Sequence, residues 1–400
     1  MITSQSIKAN DLAGLMFSLM PITLFLPVGF MYFWIALVFI AATMAGNFRD
    51  IKTSVANNPI FFPTALLVIF VVFQSLFLSG ENDRRWSGMI YYFIFVFFFF
   101  FSAAAPAHYF AQAKKIFYLS AVLASAVFYL SRSGALPEWY VFKNFFTYGG
   151  NRSIAIGIFL AIAAGWLLND AGKETRFRQK LILTAGYIFI SSAIFIFAVT
   201  RTGLLLLFVL SAMAIARHLK HNKINIALAA IVVSFFAVMM NTHSTSNQRL
   251  SQTLSAVTAP GPKKADNGDM VRLQFFEKTG QMILEKPLLG HGVGSWRQQY
   301  PTRAEGLLTS TMSTPHNDYL LFAAELGLCG LLILFVIFFN LARTAVSSTV
   351  GDGMPLLMMT VALAIGSMFN AILRDWRFGV PFMLLLAIAY RGSLRESHDT

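Results

Sequence analysis

Two arginines and one histidine stand inside or at the lip of apolar runs, a third arginine stands in the long polar loop, and their chemistry sets the first expectations. Arg201 follows Ala198-Val199-Thr200 and leads straight into a leucine-rich run. An arginine deep in a membrane costs ~2.5–3.5 kcal/mol on insertion scales, so such a group defaults to function. Arg152 opens another run after Tyr148-Gly149-Gly150-Asn151, and Arg272 falls in the expected first turn of a loop helix. There a cation opposes the helix dipole, so helix propensity alone would not choose it. A guanidinium stays charged and grips phosphate oxygens in pairs. Several at one membrane face therefore suit a phosphate-rich, lipid-anchored ligand and a leaving group on which negative charge develops. His316, in Ser313-Thr314-Pro315-His316-Asn317-Asp318-Tyr319-Leu320, is suited to take a proton from an attacking hydroxyl at neutral pH. Each has a plainer alternative: a snorkelling arginine at a helix end for Arg201, a helix-end anchor for Arg152, a solvated charge for Arg272, and an imidazole bonded to loop backbone for His316. His243 and His291 have weaker claims.

The elements that position these residues are membrane helices. The chain is 56% hydrophobic and only 12% charged, with mean hydropathy +0.63, against about 25% charged residues in soluble domains. The net charge of +13 is read as loop Lys and Arg serving orientation and lipid contact, not nucleic acid. A helix crossing a bilayer needs roughly 20 apolar residues. Windows of that kind fall at 11–27, 30–46, 62–79, 87–105, 112–131, 152–168, 180–199, 201–217, 224–240, 317–342, 354–373 and 377–391. The expected fold is thus an all-α integral membrane protein of about twelve transmembrane helices. Helices 1–9 occupy 1–240, a large external loop with short helices 241–316, and helices 10–12 with a short cytoplasmic tail 317–400. Lys and Arg concentrate on one set of short connections, Lys114, Lys173, Arg217 and Arg391 among them. The positive-inside rule puts those in the cytoplasm and the long loop outside. No small-residue cleavage site follows the first apolar run, which is read as a retained helix.

Within the loop, Asn267-Gly268-Asp269 starts a helix over about 270–285 that Pro287 ends. Leu273, Phe276, Gly280 and Ile283 share one face of it, with Phe275 and Met282 on the adjoining stripe. Such a helix would lie on the membrane surface or cap the bundle. Gly290, Gly292 and Gly294 follow without the strand-before, helix-after setting of a dinucleotide fingerprint, and read as a tight surface turn. No metal and no cofactor is expected. Glu81-Asn82-Asp83 is the closest carboxylate spacing, and Arg84 and Arg85 offset it; no Cys/His ligand spacing occurs. The single cysteine, Cys329, leaves no intramolecular disulfide, and no Gly-x-Ser-x-Gly elbow suggests a hydrolase.

In order along the chain, Thr200-Arg201 opening a span, Val271-Arg272-Leu273 before a helix, Lys286-Pro287 with Gly290-His-Gly-Val-Gly294, and His316-Asn317 entering the next span resemble the O-antigen ligase/polymerase superfamily of bacterial membrane glycosyltransferases. The resemblance covers about 150–400. It implies transfer of a glycan from undecaprenyl pyrophosphate at the periplasmic face of a Gram-negative inner membrane, within lipopolysaccharide biosynthesis. The arginines, the lack of a convincing carboxylate cage and the lack of an identifiable protein nucleophile add the expectation that this transfer is metal-independent and inverting. By position, Arg152, Arg201 and Arg272 would hold the pyrophosphate. Arg201, Arg272 and His316 would be catalytic, with His316 activating the acceptor hydroxyl. One large external loop and a short tail suit a ligase with lipid A-core as acceptor. The alternatives are an O-antigen polymerase, a pilin O-oligosaccharyltransferase or, from another class, a flippase of lipid-linked sugars. The flippase would spread charge deep through the helices and show inverted repeats.

Overall fold

The computed structural model describes residues 4–48, 55–78, 84–136, 151–196, 200–218, 234 and 268–394. The expected span 224–240 except for residue 234, the loop stretch 241–267 with His243, the pair Glu81 and Asp83, and the side chain of Arg152 lie outside the described residues.

All regular structure among the described residues is helical. The order is α1 (Ser4–Leu19), α2 (Val28–Ala45), α3 (Phe61–Phe73), α4 (Arg85–Tyr92), α5 (Phe95–Ala103), α6 (Ala107–Arg132), α7 (Asn151–Lys173), α8 (Phe177–Ile196) and α9 (Arg201–His218). Then come α10 (Gly268–Glu285), α11 (Trp296–Arg303), α12 (Asp318–Ser347), α13 (Met354–Phe369) and α14 (Trp376–Ser393). Among the described residues, 7 helices are long and apolar enough to cross a membrane, or up to 8 if the bent pair α4–α5 counts as one span. The expected single span 87–105 is that pair, bent by 44°. The bend gives its phenylalanines a stripe that the unbroken apolar run does not advertise: Phe95, Phe98 and Phe101 are buried, and Val96 is exposed.

α7 is the axis of the bundle. Its window is 89% buried, against 22% for α2, and it packs on α8, α9 and α13. Small residues such as Ala161, Ala163, Ala164 and Gly165 let neighbours approach closely. Phe33 of α2, Phe62 and Ile69 of α3, and Phe77 in the π-helical turn that follows α3 are exposed, as side chains facing lipid would be.

The loop after α10 is ordered and seated on α12. Trp296 and Tyr300 stack at 4.3 Å and bury Phe275 and Met282 of α10 against Leu321 and Ala324. The face buried against the protein is therefore Phe275, Thr279 and Met282, on the adjoining stripe, whereas Leu273 and Phe276 are exposed. The two stacked rings offer apolar partners on that side only, and the choice between two adjoining stripes is made by this tertiary contact.

The glycine turn also differs from expectation. Gly290, Gly292 and Gly294 all have positive φ, yet His291 and Val293–Trp296 are buried. The turn sits in a break in α12 at Gly327 (φ 67, ψ −168). A continuous helix would bond Leu328 N–H to the Ala324 carbonyl and Cys329 N–H to that of Glu325. Instead, the Leu328 and Cys329 amides donate to the Pro287 and Leu288 carbonyls at 2.8 and 3.2 Å. The freed Ala324 and Glu325 carbonyls accept from His291 and Gly292, each at 2.9 Å. The loop thus returns every one of these bonds that the break removes, as non-helical backbone at membrane depth requires. Gly327 has a conformation essentially confined to glycine, and a Cβ there would collide with the Leu288 carbonyl. Gly327→Ala should cost about 1–3 kcal/mol from backbone strain alone and lower the thermal midpoint of the detergent-purified protein. Gly29→Ala, where a Cβ meets nothing within 4 Å, should not; equal midpoints for the two variants would refute this account of the break.

Candidate active site

Glu325 is the point at which the loop, the broken helix and two other segments meet. It is fully buried. Its carboxylate accepts from the Tyr92 hydroxyl at 2.8 Å, the Gly294 and Trp296 amides at 2.9 and 3.2 Å, and Arg374 Nη1 at 3.3 Å. Asp318, at the start of the same helix, accepts from the Leu373 amide at 2.9 Å. These two carboxylates fix the connection between α13 and α14. Asn317 caps α12 by accepting from the Leu320 amide at 3.0 Å and donates to the Met368 carbonyl at 2.9 Å. The Asn of the His316-Asn317 pair is therefore a helix cap.

A cavity of about 510 Å³ opens between these segments. Arg297, Arg374, Arg377, His316, Asn370 and Asp375 line it, with Tyr32 and Tyr91 among its aromatic walls. Three guanidiniums face one wall carboxylate. Arg374 is held by Glu325 and lies 5.1 Å from the Tyr91 ring. Arg297 follows Trp296, whose amide is itself bound by Glu325. Arg377 stands in the first turn of α14, capped by Asp375, which accepts from the Arg377 amide at 3.0 Å. A smaller, apolar cavity of about 180 Å³, walled by Leu24, Met31, Ile156, Phe159 and Pro381, shares Arg377 and Phe378 with the first.

His316 has φ 49, a left-handed conformation uncommon outside glycine and a feature of functional sites. Its ring packs 5.8 Å from Phe275, and its ring nitrogens make no hydrogen bond among the described residues. This sets aside the reading of an imidazole bonded to loop backbone. Burial and the neighbouring Arg272 hold its pKa below the ordinary 6.5, against the opposing pull of Asp375. At neutral pH the ring is thus neutral and able to accept a proton.

Of the expected residues, His316 lines this cavity, and Arg201, Arg272 and His291 are not among its lining residues. Arg272 occupies the N-terminal part of α10, with its guanidinium 5.9 Å from the Phe369 ring and close enough to act on His316. Arg201 opens α9 beside Thr202, whose hydroxyl accepts from Asn370 of the wall at 3.2 Å. Arg152 lies in the first turn of α7, one turn before Ile156 of the apolar cavity. His291 is structural: it is buried, and its Nε2 lies 2.8 Å from the Met282 carbonyl. Sequence reasoning passed over Arg297, Arg374 and Arg377 as binding groups. The available signal was Arg374-Asp375-Trp376-Arg377, a doubly cationic interruption between two apolar runs.

Residues 186–335 match the family model described as O-antigen ligase. The match supports the O-antigen ligase superfamily. It contains Arg201, Arg272, Arg297, His316, Glu325 and Gly327; Arg152, Arg374 and Arg377 lie outside it. No curated protein matches the chain. The apolar helices and the family match together indicate a multi-pass membrane protein, and the match suggests a glycosyltransferase-like membrane enzyme; lipid-linked glycans and membrane lipid are the substrates that the matched family implies in general.

The two charges flanking His316 can be tested directly. Arg272 disfavours the imidazolium, so Arg272→Gln should raise the His316 pKa; Asp375 favours it, so Asp375→Asn should lower it further. Histidine-labelled NMR titration, assigned by His316→Ala, reads both shifts. A wild-type value at or above 6.5, or shifts of the opposite sign, would contradict this electrostatic arrangement.

Proposed function

We propose that the protein transfers a glycan from undecaprenyl pyrophosphate to lipid A-core oligosaccharide at the periplasmic face of the inner membrane, as a metal-independent, inverting O-antigen ligase. The observation that carries this reading is the junction of the two cavities at Arg377. One is polar and lined by guanidiniums; the other is apolar and bounded by α2, α7 and α14. A polyprenyl pyrophosphate has the matching division, with the isoprene unit nearest the pyrophosphate in the apolar cavity, the rest of the chain out in the lipid, and the pyrophosphate and first sugar in the cationic cavity.

In this reaction the acceptor hydroxyl attacks the anomeric carbon. The carbon–oxygen bond to phosphate breaks, its electron pair leaves with the pyrophosphate, and His316 takes the hydroxyl proton. Arg374 and Arg377, with Arg201 and Arg272 at the margin and Arg152 at the start of α7, stabilise the charge that develops on the leaving group. Asp375 favours the imidazolium as it forms. Direct attack inverts the anomeric centre and needs no protein nucleophile. The guanidiniums supply the positive charge that a divalent cation otherwise brings to a leaving phosphate.

In a purified assay with lipid-linked donor and lipid A-core, activity should persist in excess EDTA and the product linkage should be inverted. His316→Ala should lose about 10²–10⁴-fold in rate, as expected of a general base. Arg201→Ala and Arg377→Ala should abolish transfer, and the lysine variants should recover it only in part because a point charge replaces a planar fork. A retained anomeric configuration, activity lost to EDTA and restored by Mn²⁺, or a fully active His316→Ala would each overturn the mechanism.

A further inference from the structure

The opposite end of the bundle carries a second cavity that the transfer reaction does not use. It has a volume of about 400 Å³ and lies among the N-terminal half of α6, the C-terminal ends of α7 and α14, Arg217 of α9, and the α12–α13 connection. Its distance from the candidate active site follows from α14, since Trp376 lines one cavity and Arg391 the other, roughly 22 Å apart along the helix.

Its lining is divided by chemistry. Lys114, Lys173, Arg217 and Arg391 bring four cations to the cavity, and Asp352 is the lining carboxylate. Three of those cations have partners. Lys114 and Lys173 bind Asp170 at 2.7 and 3.1 Å, Lys173 also binds Asp352, and Arg217 reaches Asp352 at 2.6 Å. Arg391 has no carboxylate partner among the described residues, and its guanidinium lies 5.4 Å from the Phe110 ring. The rest of the wall is apolar, formed by Phe110, Trp166, Pro355 and Ile388 among others. Trp166 is fully buried, and its indole N–H has no acceptor among the described residues. It precedes Lys173 by about two helical turns, roughly 10 Å into the bundle. A buried donor without an acceptor costs free energy unless a ligand supplies one.

We infer that this cavity binds the phosphate headgroup and upper acyl chain of an anionic phospholipid. The excess cation, Arg391, meets the phosphate, the apolar wall takes the chain, and the Trp166 indole donates to a glycerol-ester oxygen. Inorganic phosphate shares the headgroup chemistry but leaves the apolar depth and the Trp166 donor unused. By the bias of Lys and Arg along the chain, this end faces the cytoplasmic leaflet, where anionic lipid attracts basic groups. The site stands independently of the proposed transfer reaction.

The test is lipid binding by the detergent-purified full chain, read by native mass spectrometry and by thermal midpoint. Phosphatidylglycerol should bind and raise the midpoint, and phosphatidylcholine or millimolar inorganic phosphate should not. Arg391→Gln should weaken phosphatidylglycerol binding roughly fivefold, the value of about one juxtamembrane cation, and Arg391→Lys should restore most of it. Trp166→Phe, which keeps an aromatic ring and removes the donor, should weaken it too. Should Arg391→Gln fail to fold, the headgroup comparison on the wild-type protein decides alone. Equal binding of the two lipids, or unchanged affinity in the folded variants, would overturn the lipid site. An equal effect of inorganic phosphate would assign the cavity to free phosphate and overturn it as well.

Discussion

A buried carboxylate in a membrane protein must be satisfied from every side, and Glu325 is satisfied by groups from three separate places in the chain. Tyr92 comes from the kinked α4–α5 pair, Gly294 and Trp296 from the loop, and Arg374 from the α13–α14 connection. Removing one partner of a buried ion pair generally costs about 3–5 kcal/mol, because the other charge is stranded. The pair is weak evidence for net stability and strong evidence for specificity of place. With Glu325 fixed, Arg374 is held at the cavity wall, and Arg297 is carried to the same wall by its neighbour Trp296. The break at Gly327 belongs to the same arrangement. It turns the helix carbonyls outward, where the His291 and Gly292 amides meet them, and so seats the loop on the helix that His316 precedes.

The electrostatics at the cavity are a balance of opposites. Arg272 and burial keep His316 neutral, Asp375 opposes them, and three guanidiniums stand on the wall. A neutral base amid fixed positive charge suits a reaction that releases a proton and an anion at neighbouring points. In the proposed reaction the same cations would attract the anionic donor before transfer, so the site would gain rate only to the extent that it holds the departing pyrophosphate more strongly than the bound ester.

The sequence discloses much of the helical layout because apolar run length is a local property. The features that shape the site are not local in this way, and three elements illustrate why. The kink before Phe95 lies in an uninterrupted apolar run. Gly327 looks like any small residue in a membrane helix, and its exchanged hydrogen bonds depend on Pro287–Gly292 arriving from a separate segment of the chain. Gly268–Glu285 is legible as a helix from Asn267-Gly268-Asp269 at its start and Pro287 after its end, whereas its buried stripe is chosen by Trp296 and Tyr300. At the site, His316 is legible from its place at the lip of a span. Arg374 and Arg377 are legible only as charges, because their common wall with Arg297 is created by tertiary pairing to Glu325 and by the cap at Asp375.

The central claim is that the joined cavities hold the pyrophosphate and the adjoining isoprene unit of a polyprenyl pyrophosphate. It is tested most directly by photo-crosslinking the purified protein with a polyprenyl pyrophosphate analogue carrying a photoreactive group in the isoprene unit next to the pyrophosphate. Peptide mapping should place the crosslinks around Leu24, Met31, Ile156 and Pro381, and excess undecaprenyl pyrophosphate should suppress them. Crosslinks confined to the exposed side chains of α2 and α3, such as Phe33 and Phe62, and insensitive to competitor would contradict the claim.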